Sequence, residues 1–163
     1  MVNDVIRELG HLTLGTRLKR IGERLQAQTQ LILDAHEVPI QAAQFPFLAA
    51  IDRLEPLTVG QLAEAVGVTQ PASTRALAQL AEAGLVAVAS ASDDQRRKAI
   101  TLTKAGKRIV EVGKRDVWPL IEGAVKDVCR KLSGTLLDQL AALEDGLGEA
   151  SLDRRAALRA RRR

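Results

Sequence analysis

The chain has 163 residues, of which 27% are charged and 2% aromatic, so it is the size of one domain with a largely aliphatic core. One cysteine excludes an internal disulfide, and two separated histidines argue against a metal centre or metal-dependent catalysis. The net charge is +4, but six arginines and one aspartate in residues 153–163 contribute +5, so the remaining residues together carry −1.

Residues 4–35 are predicted to form one long helix, weakened at Gly10 and His11. Its apolar residues recur at spacings of four, three and four and so share one face: Leu14, Leu18, Ile21 and Leu25. Such a seam predicts contact with another helix. A shorter helix is predicted to end at Leu54 and to start at Gln41 or Phe45, with Pro46 best accommodated in its first turn.

Residues 58–84 have the pattern of a helix-turn-helix. Thr58 and Gln61 show capping-box spacing at the start of the first helix, and Gly67 supplies the tight turn after it. The second helix is expected to be capped by Thr69 and to run until Gly84 can end it in the left-handed region.

The second helix is predicted to have an inward and an outward side. Ser73, Leu77 and Leu80 fall on the inward side, although an aliphatic residue is usual where Ser73 stands. Either the Ser73 hydroxyl bonds to a carbonyl one turn earlier, or this side is loosely packed. The outward side carries the polar and small residues Gln70, Pro71, Thr74, Arg75 and Ala78.

A basic hairpin is predicted after the second helix. Residues 85–89 read as a strand, residues 90–98 as a polar, basic turn, and residues 99–102 as the returning strand. Together with the two preceding helices, this pattern is typical of a winged helix-turn-helix.

Three stretches resemble the MarR family of transcriptional regulators. They are Leu62–Pro71, Leu80–Val86, and Asp94-Gln95-Arg96 followed by Leu102–Gly106. The resemblance implies a mainly α fold, a winged helix-turn-helix with a small β-hairpin wing and long N- and C-terminal dimerisation helices. It further implies that Leu57 adds a short third strand, and that Arg96 enters the minor groove while Asp94 holds its guanidinium.

The expected partner is double-stranded DNA. Arginine suits guanine, glutamine suits adenine, and small side chains suit the thymine methyl, so the outward side of the second helix is a candidate for reading the major groove. In a nearly neutral body, the cations gathered at this helix and the wing favour the same partner. The candidate DNA-binding residues are Thr69, Gln70, Pro71, Ala72, Thr74, Arg75, Asp94, Arg96, Arg97 and Lys98.

The C-terminal third is predicted to be helical. One helix is expected from Lys104 to about Lys131, kinked at Pro119, and a last amphipathic helix is expected to end at Gly148. We therefore divide the chain into a helical dimerisation region (residues 1–36 and 104–150), a winged helix-turn-helix (residues 37–103) and a basic tail (residues 151–163). The tail is expected to be a solvated end with weak, nonspecific help to DNA binding.

The expected function is transcriptional regulation, more as a repressor than as an activator, by a cytoplasmic homodimer bound to an inverted repeat. We expect no cofactor, no membrane contact and no enzyme activity, since no catalytic constellation is present. The resemblance implies a small-molecule effector, with Trp118, Phe45 and Phe47 either lining its pocket or filling the core. Cys129 is interpreted as a structural thiol rather than an oxidant sensor. The alternatives are a winged-helix module for protein assembly and a nonspecific DNA-packaging protein.

Overall fold

The computed structural model describes residues 3–91, 94–130 and 132–155, with the side chains of residues 90, 91 and 94–98 left undescribed. The predicted class, mainly α with a small β-hairpin, is confirmed. The helices and strands are α1 (Val5–Glu8), α2 (Leu14–Ala35), α3 (Phe45–Leu54), α4 (Val59–Val66), α5 (Gln70–Glu82), β1 (Val86–Ala91), β2 (Asp94–Leu102), α6 (Lys104–Val112), α7 (Trp118–Cys129) and α8 (Leu136–Glu149).

The N-terminal helix is interrupted where the sequence predicted it to be weak. Gly10 has φ +56°, which favours glycine, and it opens a short 3₁₀ turn, Gly10–Thr13, between α1 and α2. The guanidinium of Arg20 on α2 donates to both carboxylate oxygens of Asp4, the α1 N-cap, at 3.1 and 2.8 Å. These hydrogen bonds lower the pKa of Asp4 and fasten α1 to α2.

Helix α3 begins at Phe45 with Pro46 in its first turn, which confirms that placement. Its inward face contributes three buried residues, Phe47, Leu48 and Ile51. They join a single apolar cluster that also contains Leu33 from α2 and buried residues from α4, α5, both strands and α6. This cluster is the core that carries the exposed face of α5.

The helix-turn-helix follows its predicted local signals. Thr58 Oγ1 accepts from Gln61 N at 3.3 Å, and Gln61 Oε1 accepts from Thr58 N at 2.9 Å, so the capping box is confirmed. Gly67 has φ +72° and lies between α4 and α5, and Gly84 has φ +70° after α5. Both turns therefore use backbone conformations that glycine adopts at little cost.

The wing differs from its prediction. Strand β1 continues to Ala91 and β2 already begins at Asp94, so the expected nine-residue turn at residues 90–98 was wrong. The antiparallel register runs from Val86 opposite Leu102 to Ser90 opposite Lys98 and then becomes irregular. Main-chain pairing between strands outweighs the low strand propensity of this polar segment.

A third strand segment is present, as the resemblance implied. Leu57 forms an antiparallel bridge with Ile100 on β2, where Leu57 N donates to Ile100 O at 3.2 Å and Ile100 N donates to Leu57 O at 2.7 Å. The segment that leads from α3 into α4 is thereby attached to the wing.

The C-terminal helical region is divided by a wider helical turn. A π-helical segment, Gly113–Val117, separates α6 from α7, and Pro119 follows in the first turn of α7. The distortion that we predicted at Pro119 therefore lies just before it. A Cβ at Gly113 would lie 2.5 Å from the Trp118 ring, so glycine allows the indole to pack there.

The chain forms two compact units, the first ending at Ile121 and the second beginning at Glu122. The buried core belongs to the first unit, whereas α8 in the second buries none of its residues. Helix α8 extends to Glu149, so Gly148 does not end it. Within the described ranges, no helix combines the length and apolar character needed to cross a membrane.

Candidate nucleic-acid interface

Helix α5 has the two-sided character that its sequence predicts. Ser73, Leu77 and Leu80 are buried against the core. The residues of the opposite side, Gln70, Pro71, Thr74, Arg75 and Ala78, are all exposed, as are Thr69 and Ala72. Seven of the candidate or outward residues thus form one continuous exposed surface along a single rigid helix.

The first turn of α5 lacks the capping hydrogen bond that we expected from Thr69. Thr69 occupies the N-cap position, but its side chain makes no capping hydrogen bond. Thr74 Oγ1 instead donates to Gln70 O at 2.9 Å. The proton of Thr74 is therefore used within the helix, while the oxygen of this exposed residue can still accept a hydrogen bond.

Arg75 is exposed and forms no ion pair with any side chain that the structure describes. Its guanidinium offers planar donors that can bind two acceptors at once. A contact with a base edge or a phosphate requires donors of this kind that no neighbouring side chain already uses.

The structure excludes one of the two alternatives that the sequence left open for Ser73. Its Oγ is fully buried and has no hydrogen-bond partner in the described part of the chain. The hydroxyl therefore does not bond to a carbonyl one turn earlier, and the inward side of α5 contains an unsatisfied polar atom. Such a group lowers the stability of the fold.

The wing places Asp94, Arg96, Arg97 and Lys98 on the backbone of β2. Their side chains, and residues 92–93 between the strands, lie outside what the structure describes. The proposed contact of Arg96 with the minor groove, and its support by Asp94, therefore stay predictions.

Thr103 links the residues that follow α5, the wing and α6 by hydrogen bonds. Its Oγ1 donates to Gly84 O at 2.7 Å and accepts from Gly106 N at 3.0 Å, while its backbone amide donates to Leu85 O at 3.1 Å. One residue at the end of β2 thus binds the C-terminal turn of α5, the start of β1 and the first turn of α6. These bonds connect the end of α5 to the base of the wing.

Two carboxylates at the end of α3 have roles that sequence reasoning missed. Glu55 Oε2 accepts from Leu102 N at 2.7 Å and Glu55 Oε1 lies 3.1 Å from Lys107 Nζ, while Asp52 pairs with Lys114. Leu102 is 47 residues along the chain from Glu55. No local pattern signals a contact between residues so far apart.

The aromatic residues pack as core side chains. The rings of Phe45 and Trp118 meet edge to face, with centroids 4.6 Å apart and an interplanar angle of 64°. Trp118 Nε1 is buried without a partner among the described atoms, and Phe47 is buried in the core. Cys129 is a free thiol of intermediate burial.

Comparison with known proteins extends the resemblance. The sequence model of the MarR family matches residues 38–97, from the segment before α3 into β2. In this segment the chain is similar to the MarR family. The match contains α4, the turn at Gly67 and all of α5, so the exposed α5 face lies within the matched part of the chain.

Solved structures of MarR-family regulators share this fold. A mutant MarR from E. coli complexed with operator DNA is 24% identical, has a TM-score of 0.67, and is matched over 90% of this chain and 98% of that chain. The M. tuberculosis regulator MOSR in complex with DNA is 24% identical at a TM-score of 0.68, over 84% and 97%. BpsR from Bordetella bronchiseptica, whose DNA binding is regulated by 6-hydroxynicotinic acid, is 23% identical at a TM-score of 0.66, over 84% and 94%.

Proposed function

We propose that this protein is a sequence-specific transcriptional regulator of the MarR family that binds an inverted-repeat operator as a homodimer and represses transcription in the cytoplasm. The observation that supports this most is the exposed α5 face, whose Arg75 pairs with no described side chain and whose helix is connected to the base of the wing through Thr103. The E. coli and M. tuberculosis relatives that share the fold are bound to DNA in their structures. The role needs no catalytic group.

Helix α5 would enter the major groove. Arg75 would donate to a guanine, Gln70 would pair with an adenine, and the Thr74 methyl would meet a thymine methyl. Thr69, Pro71 and Ala72 at the start of the helix would allow close approach to the backbone, and the Thr69 hydroxyl, which makes no capping bond, would be available to a phosphate.

The wing would contact the neighbouring minor groove. Arg96 would enter it with Asp94 orienting the guanidinium, while Arg97 and Lys98 would meet phosphates. Because arginine in a narrow groove reads the local shape of the duplex, the wing would favour A·T-rich flanking sequence.

Dimerisation would be carried by residues 1–36 and 104–150. The α2 seam is exposed in the single chain, with Ile21 45% exposed and Leu18 and Leu25 also accessible. The second unit has an exposed apolar set of its own, Val128, Leu132, Leu137 and Leu147. Two chains joined through such faces would present two α5 helices about 34 Å apart, one turn of DNA.

Release from DNA would follow binding of a small molecule, by analogy with BpsR, whose DNA binding is regulated by 6-hydroxynicotinic acid. A ligand that changed the separation of the two α5 helices would weaken binding strongly, because full affinity needs both to engage at once.

The basic tail, residues 151–163, would add nonspecific phosphate contact. Deleting residues 154–163 removes six arginines. Each lost phosphate contact should make the negative slope of the log of the DNA-binding constant against log salt shallower by about 0.9. The preferred sequence should not change, and an altered preference would contradict this role.

The decisive experiment selects bound fragments from random duplex DNA and then measures affinity for the selected site by fluorescence anisotropy. An inverted repeat is expected, and Arg75→Ala should weaken binding by about 1 to 3 kcal/mol and relax one base position in each half-site. Arg96→Ala should weaken binding and relax the flanking preference. Arg53→Ala, which removes an exposed arginine of α3, is the matched control and should change little.

Other outcomes would favour the alternatives. Equal affinity for random duplex and for every selected fragment would indicate a nonspecific architectural protein. Failure to bind any duplex, with Arg75→Ala and Arg96→Ala both silent, would indicate a winged-helix module for protein assembly.

A further inference from the structure

The outer edge of β2, on the side away from β1, is closed by two successive contacts. Ile100 N donates to Leu57 O at 2.7 Å, which is an ordinary rung between strands. The next amide on the same edge, Leu102 N, donates instead to the Glu55 carboxylate, also at 2.7 Å. The side chain of Glu55 therefore replaces the rung that the backbone does not supply, because the chain turns back into α3 there.

The same carboxylate also reaches α6. Its second oxygen lies 3.1 Å from Lys107 Nζ, and the Glu55 side chain is 22% exposed. A hydrogen bond from a backbone amide to an ionised group is stronger than one between neutral groups, and partial burial reduces its screening by water. Glu55 thus joins the end of α3 to the base of the wing and to the first turns of α6.

We propose that Glu55 is a positioning residue for DNA binding, which sets the angle at which the wing leaves the core. This inference rests on the proposed function. Strand β2 rises by about 3.3 Å per residue, so Arg96 lies roughly 20 Å along the strand from Leu102. A small tilt at Leu102 is therefore enlarged at Arg96, and the groove contact made there depends on the anchor at the base.

Asp52 offers a matched control in the last turn of α3. It lies three residues before Glu55, which directly follows α3. Its side chain is also 22% exposed, and it pairs with Lys114 as Glu55 pairs with Lys107. No hydrogen bond or ion pair described for Asp52 involves β2. Asp52→Ala therefore removes a comparable ion pair without releasing the base of the wing.

The test is a set of double-mutant cycles on the selected operator. Glu55→Ala and Asp52→Ala are each measured in the wild-type, Arg75→Ala and Arg96→Ala backgrounds. Glu55→Ala should lower affinity about tenfold in the wild-type and Arg75→Ala backgrounds, but by less than about twofold when Arg96 is already alanine. Asp52→Ala should have less than about a twofold effect in all three.

A loss from Glu55→Ala that is equal in all three backgrounds would overturn the inference, because the residue would then act through general stability. A silent Glu55→Ala would overturn it as well. If the wild-type chain binds no duplex at all, the proposed function itself fails. If the wild-type chain binds but the effect of Glu55→Ala is the same in every background, only the inference about Glu55 fails.

Two further measurements keep the inference testable if Glu55→Ala does not fold. Glu55→Asp retains the charge but shortens the reach by one methylene, and it should show the same dependence on Arg96. Amide hydrogen exchange at Leu102 should be at least about tenfold faster in Glu55→Asp and unchanged in Asp52→Ala. Unchanged exchange in Glu55→Asp would count against the anchor.

Discussion

The winged helix-turn-helix and the long helix α2 differ in how far their apolar residues are buried. In α3, α4 and α5 the inward faces bury large apolar residues, among them Leu48, Leu62 and Leu80. Helix α2 has 22 residues but buries only Leu33, and leaves Ile21 and Leu25 exposed. The first region completes its core within one chain, whereas the second has a face that only another surface can cover.

This difference separates two kinds of effect. A substitution inside the winged helix should lower the stability of the single chain. A substitution in the α2 seam should leave that stability nearly unchanged and act on assembly. We expect the following changes to separate the two regions, in order of decreasing size.

The strongest test of the self-contained region is Gly106→Ala in α6. A Cβ there would lie 2.0 Å from Leu85 O, a backbone atom that already accepts from Thr103 N. Because neither backbone can move without breaking the base of the wing, the free energy of unfolding should fall by about 3 kcal/mol in urea titrations. Gly60→Ala, where the added atom meets open space, should be neutral or stabilising by up to about 1 kcal/mol. Equal effects of the two changes would show that the packing at Gly106 is loose.

Ile21→Glu in the α2 seam tests whether the exposed apolar face of α2 is a dimer interface. A charge in a dimer interface should raise the dimer dissociation constant at least about thirtyfold, roughly 2 kcal/mol, measured by analytical ultracentrifugation. Thr16→Glu places the same charge on the opposite, exposed side of α2 and should leave assembly unchanged. A fully dimeric Ile21→Glu variant would assign this seam to another partner or to none.

Two threonines at N-cap positions sharpen the account of local stability. Thr58 accepts a hydrogen bond from Gln61 N, whereas Thr69 makes no capping bond. Thr58→Ala should therefore cost about 1 kcal/mol of unfolding free energy, while Thr69→Ala should cost less than about 0.5 kcal/mol. Thr69→Ala should instead weaken DNA binding, and a larger loss of stability at Thr69 than at Thr58 would reverse this assignment.

The smallest expected effect is an increase in stability. Ser73→Ala removes a buried hydroxyl that has no described partner, and should raise the free energy of unfolding by roughly 0.5 kcal/mol in urea titrations. Ser133→Ala, at an exposed position with no side-chain hydrogen bond described, is the control and should leave stability unchanged. A stability loss in Ser73→Ala would mean that the hydroxyl is satisfied by water.

Much of the fold could be predicted because its signals are local. The capping box at Thr58, the left-handed turn at Gly67, and the placement of Pro46 each depend on residues within one helical turn. The two sides of α5 also follow from helical periodicity alone. The candidate DNA-binding face was predictable for the same reason.

The predictions that were wrong depend on contacts that a local sequence pattern does not show. The wing turn was predicted too long because the strand character of residues 94–98 comes from pairing with β1, which their propensity does not reveal. Before Pro119, the helix widens where the Trp118 ring packs over Gly113, a contact that the sequence pattern does not reveal. The N-cap bond expected at Thr69 is not made.

The sequence by itself determined most of the helices, the capping box at Thr58 and the exposed face of α5, because hydrogen bonds and periodicity within a helix involve neighbours in the chain. Only the tertiary structure decided that Glu55 closes the edge of β2, that Thr103 joins α5 to α6, and that Ser73 lacks a partner among the described residues. These contacts join residues that are distant in the chain, and they form only when the core has brought the elements together.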